Sequence, residues 1–341
     1  MSPLRNTLEQ LIARRDLSEV QSQELLEALA AEAIAPALAG ALLAALQMKG
    51  VVAAEVRGFA GAMRRLARRP GIPAGVRAID VVGTGGDRSG SLNISTGTAL
   101  LTAACGVPVV KHGNRSLSSR AGSADVLEAL GMRLPLDEHA APACLAAANF
   151  TFLFAPYFHP AMKAIAPVRS ALGVRTVFNL LGPLTNPAEP PLHLIGAPSL
   201  ETARLMAAAL AQMPIERAFV VHGAEGWDEP TPIGPFHLLD VRPGQVREEL
   251  RAPQDFGLAT CAASMLAGGD AAHNARALRA VLAGEDRGAH RDCLLLGAAL
   301  ALEVAGEMKG TAAIAHAARA IDSGAAARLL DAVVAFSVGS V

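Results

Sequence analysis

The chain has 341 residues, 52% apolar and 18% charged, against about 45–50% and about 25% in an average soluble domain, so it buries a large core and intrinsic disorder is excluded. Thirty Lys and Arg balance 31 Asp and Glu to a net charge of −1, which removes the electrostatic footprint of a general nucleic-acid binder. Ten Phe, one Trp and one Tyr are too few for a base-stacking platform.

The first seventy residues read as helical throughout. Ser18, with Gln21 three residues on, is a capping-box pair ahead of an apolar-periodic stretch carrying Val20, Leu25, Leu26 and Leu29. Pro36 suits the first turn of the next helix, running to about Met48, and Gly50 stops it. The apolar run from Ala33 to Leu46 contains Pro36, is mostly alanine and is short for a membrane span, so a buried helix is expected. A third helix, roughly Ala53 to Ala67, ends before Pro70-Gly71-Ile72-Pro73, the best linker candidate in the chain. The opening MSPLRNTLEQLIARRD lacks the apolar core of a secretory leader. Cys105, Cys144, Cys261 and Cys293 are scattered, without a Cys-x-x-Cys pair. A reduced, cytoplasmic protein is expected.

After the linker the pattern changes. AIDVV (78–82), VPVVK (107–111), TFLFA (151–155), LHLIGA (192–197), RAFVVHG (217–223) and HLLDV (237–241) are strand candidates. Several alternate with helical stretches such as Ala124–Leu130 and Leu200–Gln212, the grammar of an α/β sheet. HLLDV is crowded by Pro230, Pro232, Pro235 and Pro243, so a separate small hairpin is an alternative for it. The last eighty residues are Ala-rich and helical, with the composition of packed scaffold.

Four segments carry candidate chemistry. In DVVGTGGDRSGSLNIST (80–96) a strand runs into Gly83, Gly85 and Gly86, and a helix opens near Ser95; close backbone approach and free helix N–H groups suit an anion. The spacing is neither a Walker A loop nor GxGxxG, and an ordinary strand-to-helix turn is the plain alternative. In VVKHGNRSLSSRAGSADVLEALG (109–131) a strand delivers Lys111, His112, Asn114 and Arg115 beside four serines, a second anion-binding surface or else a solvated loop. The stretch 152–188 holds His159, Lys163, Arg169, Arg175 and Asn179 among apolar residues, and by itself names no ligand. In VVHGAEGWDEPTP (220–232) the adjacent Asp228 and Glu229 are either solvated charges or, beside two phosphate-like loops, ligands for Mg²⁺.

In this order GTGGD, NIST, KHGNR-x-x-SS-x-x-GSAD, RTVFNLLGPLTNP and the Asp228-Glu229 pair resemble the anthranilate phosphoribosyltransferase family, in the nucleoside-phosphorylase-like class of phosphoribosyltransferases. The likeness covers nearly the whole chain, including residues 47–64 and 268–292. It implies an α/β fold in two parts. A small all-helical domain spans 1–72, with a returning segment near 170–188, and a larger α/β domain with a central, mostly parallel sheet spans 73–341. It also implies a homodimer through the helical domain, with no nucleic-acid or membrane partner.

The resemblance places phosphoribosyl pyrophosphate against Gly83, Gly86, Asp87, Ser91, Asn93, Ile94, Ser95 and Thr96. The rest of that site is Lys111, His112, Gly113, Asn114, Arg115, Ser116, Leu117, Ser118, Ser119 and Ser123. Ser95, Asp228 and Glu229 are the implied Mg²⁺ ligands. Gly83, Asn114 and Arg169 are the implied anthranilate contacts, the arginine opposing the carboxylate with its planar fork. The implied reaction, a step of tryptophan biosynthesis, moves the 5-phosphoribosyl group to the anthranilate amine and releases pyrophosphate. The arylamine is neutral at pH 7, so no general base is assigned, and His112 and His159 are candidate orienting groups.

The chain departs from the usual family pattern at Arg88 for Gly, Ser91-Leu92 for Thr-Phe, Val51-Val52 for Glu-Thr and Gly297 for Asn. Arg88 brings a charge and a Cβ into the phosphate loop. A phosphoribosyltransferase for another aromatic amine or acid is therefore an alternative. A pyrimidine nucleoside phosphorylase is disfavoured by the KHGNR loop and the Asp-Glu pair. A non-catalytic nucleic-acid-binding relative would require erosion of GTGGD or of that pair.

Overall fold

The computed structural model describes residues 3–31, 34–87, 89–116 and 120–339. Four helices come first: α1 (Pro3–Ile12), α2 (Glu19–Ala30), α3 (Pro36–Lys49) and α4 (Ala53–Arg65). The capping box at α2 forms as expected, with Gln21 N donating to Ser18 Oγ at 3.1 Å and Ser18 N donating to Gln21 Oε1 at 2.9 Å. Leu25, Leu26 and Leu29 are buried, but Val20 is 60% exposed. Five residues of helix turn Val20 about 140° away from Leu25, and Ser22 takes the inward position instead. The buried Glu55 ties the helices together, its carboxylate accepting from Leu17 N at 2.9 Å, Val52 N at 3.0 Å and Lys49 Nζ at 3.0 Å.

Seven strands follow: β1 (Ile79–Gly83), β2 (Val109–Gly113), β3 (Phe150–Phe154), β4 (Leu192–Gly196), β5 (Arg217–His222), β6 (Phe236–Arg242) and β7 (Gln245–Arg251). They form one sheet in the order β3-β2-β1-β4-β5-β6-β7. The first five are parallel, and β6 and β7 run antiparallel at one edge. HLLDV thus belongs to the main sheet. Pro235 stops just before β6 and Pro243 falls in the β6–β7 turn, so no proline interrupts the ladder. β7, QVREELR, is mostly exposed and offers no apolar alternation to read.

Side chains alternate between two cores. Leu192, Leu194, Phe219 and Val221 face one, which contains α5 (Ile94–Ala104) and the C-terminal helices. Ile195, Ala218, Val220, Leu239 and Val241 face the other, where they join the helix Leu200–Leu210 and Phe59 and Met63 of α4. The second core therefore runs unbroken from the sheet into the helical part. The helix Met162–Leu172 packs on α2 and α3, and Phe178–Leu181 packs on α4. Among the described residues, no helix is long and apolar enough to cross a membrane.

Candidate active site

β1 lies between β2 and β4, so successive crossovers leave it in opposite directions. At such a switch point the loops beyond the carboxyl ends of the strands part to form a crevice. Gly83 and Gly196 end β1 and β4 opposite one another, and Gly223 follows β5 directly. A Cβ on Gly196 would stand 1.6 Å from Asp228 O, one on Gly223 2.3 Å from Glu229 O, and one on Gly83 2.7 Å from Asp228 Oδ2. The Asp228-Glu229 turn is laid directly across three strand ends that carry no side chain.

From this seat the two acids reach the opening of α5. Asp228 Oδ2 accepts from Gly85 N at 2.5 Å, and Asp228 N donates to Asp87 Oδ2 at 3.4 Å. Glu229 Oε1 accepts from Ser95 N at 3.1 Å, in the first turn of α5, where unpaired N–H groups and the helix dipole favour negative charge. Burial and then the charge of Asp87 push Asp228 up to about 7. Burial and then Asp228 push Glu229 well above the carboxylate range, against the opposing pull of Lys111. The Lys111 ammonium is buried below the pair and donates to Val81 O at 2.5 Å and Ser95 Oγ at 3.4 Å.

Crowded carboxylates with one buried cation for company are what a divalent ion relieves. Asp228, Glu229 and the Ser95 hydroxyl offer hard oxygen donors of the kind Mg²⁺ takes. Among the described residues, no three His, Cys, Asp or Glu side chains form a complete cage. Mg²⁺ commonly takes one or two carboxylates and completes its shell with water and substrate phosphate.

Beside the acids, Gly85 and Gly86 have φ of 71° and 85°, a left-handed backbone that favours glycine. Asp87 Oδ1 accepts from Ser89 N at 3.1 Å, and the Ser89 and Ser91 hydroxyls are 3.1 Å apart. Ile94 and Thr96 are buried, so of the NIST stretch these two offer main-chain groups to the crevice, not side chains. The far side of the loop is braced by a part of the chain whose composition showed no chemistry. Gly268 N donates to Gly90 O at 2.8 Å, and Asn274 Nδ2 donates to Asn93 Oδ1 at 2.8 Å. Asn93 Nδ2 in turn donates to Ala121 O at 3.1 Å. The clue in sequence was the polar GGDAAHN within an otherwise apolar tail.

The second loop is organised by Asp125, which accepts from Ser116 N at 3.0 Å and Gly122 N at 2.8 Å. Gly122 is pinched, since a Cβ there would lie 2.3 Å from Ser116 N. Ser123 Oγ donates to Asn114 O at 3.2 Å, and Gly113 packs against Ser123. Arg115 forks onto Glu128 of the helix Ser123–Ala129. Leu117, Ser118, Ser119 and Arg88 lie outside the described residues.

The His112 imidazole is buried rather than displayed, with Nδ1 3.1 Å from Gly182 O and its ring edge-on to His159 at 5.1 Å. Burial and the neighbouring His159 hold it down to about 3, and burial holds His159 down to about 4. Both are neutral packing groups, because an apolar surround penalises the imidazolium. Arg169, by contrast, is half-buried and has no ion-pair partner among the described residues. Its guanidinium lies 5.2 Å above the Phe178 ring, which in turn meets Phe59 of α4 edge-on.

The fold and site can now be set beside known proteins. Residues 5–67 match a family profile described as "Glycosyl transferase family, helical bundle domain", and residues 75–327 match "Glycosyl transferase family, a/b domain". A helical bundle joined to an α/β domain of this kind defines a glycosyl transferase. A relative from Chloroflexus aurantiacus named anthranilate phosphoribosyltransferase is 44% identical over 98% of this chain and 99% of its own. The crystal structure of the Thermus thermophilus enzyme of that name covers 97% of this chain and 99% of its own, at 41% identity and a TM-score of 0.91. The Saccharomyces cerevisiae enzyme in complex with PRPP and Mg is 28% identical, covers 99% of this chain and 98% of its own, and gives a TM-score of 0.90. The chain belongs to the anthranilate phosphoribosyltransferase family.

Proposed function

We propose that this chain transfers the 5-phosphoribosyl group of phosphoribosyl pyrophosphate to the amine of anthranilate and releases pyrophosphate. The observation that carries the reading is the Asp228-Glu229 turn, two acids held against their preferred charge state at the head of a glycine loop and a helix N-terminus. The yeast relative was solved with PRPP and Mg, and also with 4-fluoroanthranilate, which supports donor, ion and acceptor alike.

In this reading the N–H groups of the glycine loop and of the first turn of α5 receive phosphate oxygens without a conformational search. Mg²⁺, held by Asp228, Glu229 and Ser95, neutralises charge on the departing pyrophosphate. The loop from Lys111 to Ser123 supplies further donors. Asn114 and Gly83 border the acceptor, and the Arg169 fork meets its carboxylate. No side chain is assigned as base, because the amine is neutral and positioning is the larger need. With a division at residue 72 and the segment near 170–188 returning to the helical domain, both substrates bind near the junction of the two parts. Ile12, Val20 and Met48, at 67%, 60% and 76% exposure, supply apolar surface on the helical part for a homodimer, and a cytoplasmic setting fits the free thiols.

Anthranilate fluorescence after mixing with phosphoribosyl pyrophosphate tests the reading, and loss of signal is expected only with both donor and Mg²⁺ present. No loss with intact donor binding would refute the acceptor, and no donor binding would refute the reading. Arg169→Ala is expected to raise the KM for anthranilate at least tenfold, as loss of a charged bidentate contact does, with a much smaller change for the donor. Equal effects on both would make Arg169 structural.

A further inference from the structure

Arg175 lies six residues beyond Arg169, in the stretch between the helix Met162–Leu172 and the helix Phe178–Leu181. Gly173, with φ of 63°, ends the first helix in a left-handed turn and sends the chain back across the crevice. The Arg175 guanidinium then donates Nη2 to Gly85 O at 3.2 Å and Nη1 to Gly86 O at 3.3 Å. Its fit on the loop is close, since a Cβ on Gly86 would fall 2.5 Å from Nη1. No carboxylate pairs with this arginine among the described residues.

The glycine loop is therefore gripped from two directions. Asp228 accepts the N–H of Gly85 from the sheet side, while Arg175 donates to the carbonyls of Gly85 and Gly86 from the other. The same short segment carries Arg169, which is anchored through Phe178 and Phe59 to the helical part. A single connection thus touches the helical part at one end and the phosphate loop at the other.

Resting on the function proposed above, we infer that Arg175 is a positioning residue. It holds the glycine loop in its donor-binding shape and sets the distance between that loop and the acceptor arginine. Two main-chain carbonyls are a suitable target, because they are present whatever side chains the loop carries. Arginine suits the task better than lysine, since its planar fork reaches both oxygens at once.

Steady-state kinetics of Arg175→Ala and Arg175→Lys, with thermal melts of each, test this. For Arg175→Ala the KM of phosphoribosyl pyrophosphate is expected to rise about tenfold, the scale of one charge-assisted hydrogen bond. Its melting temperature should stay close to that of the parent. The lysine variant should recover part of the loss, because one carbonyl stays within reach of an ammonium. The inference is overturned if Arg175→Ala leaves the donor KM within twofold of the parent. It is equally overturned if both variants lose activity together with a lowered melting temperature, which marks a structural role only. A parent protein without turnover would instead refute the proposed function, so the two failures are distinguishable.

Discussion

Two groups of titratable side chains lie within the same chain, and they are held in opposite ways. At the crevice, Asp87, Asp228 and Glu229 crowd one another, and burial with mutual repulsion pushes Asp228 up to about 7. Farther inside, His112, His159 and His193 are buried, and His112 keeps a contact from Nδ1 to Gly182 O. Burial holds these down to about 3, about 4 and about 3 respectively. The histidines solve their problem by staying neutral, which costs little at pH 7. The acids are likewise pushed toward the neutral form, but Lys111 pulls Glu229 back toward its charge. Burial alone does not mark a reactive site; like charges collected on a frame of main-chain donors do.

The sharpest way to break the comparison is to remove the acids. Asp228→Ala with Glu229→Ala is expected to cut Mg²⁺-dependent turnover at least a hundredfold, the scale of losing major transition-state charge stabilisation. The melting temperature should hold, since both deletions relieve repulsion. Full activity in that double variant would sink the metal assignment.

A smaller effect reads the two groups against each other through pH. The histidines have folded pKa values below their usual 6.5, so the unfolded chain takes up protons first. Their contribution is present above about pH 6.5 and is lost as pH falls toward 4. Asp228, and Asp80 pushed up to about 6 by burial, act in the opposite sense. They hold protons in the folded state that the unfolded chain releases, so they add stability as pH falls from about 7 to 4. The two trends offset each other in the intact protein. With Asp228→Asn and Glu229→Gln, chemical denaturation should show a steeper acid-side loss between pH 6.5 and 4, by on the order of 1 kcal/mol per pH unit. An unchanged slope would mean the acids are not protonated in the folded state.

The strands and the helix caps were readable because each rests on local chemistry: Ser18 with Gln21, Pro36, Gly50, and apolar runs ending in glycine. The GTGGD loop and the Asp-Glu pair were readable as motifs, and the structure brings them together. Three things were not readable for physical reasons. Nothing local distinguishes an imidazole displayed in a loop from one turned inward, so the burial of the His112 side chain was not readable. The bracing of the phosphate loop by Asn274 spans 181 residues of chain, and the polar GGDAAHN stretch marks its own position without naming its partner. Val20 was counted with an apolar face because valine is apolar, although its angular position on α2 points outward.

The bare strand ends have a consequence for how such a site changes over time. At Gly196 and Gly223 a first carbon would collide with main chain, and at Gly83 with the Asp228 carboxylate. Any substitution at these positions moves the floor of the crevice before it alters any contact with a substrate. The donor wall is thereby closed to gradual variation, since even alanine is too large a step. The opposite wall, where Ser170, Ala171 and Val174 are exposed between Arg169 and Arg175, has room for small changes one side chain at a time as long as the two arginines are kept. Drift in acceptor preference can proceed on that wall while the donor wall keeps its form, and directed evolution of this scaffold toward other aromatic amines should concentrate its library there.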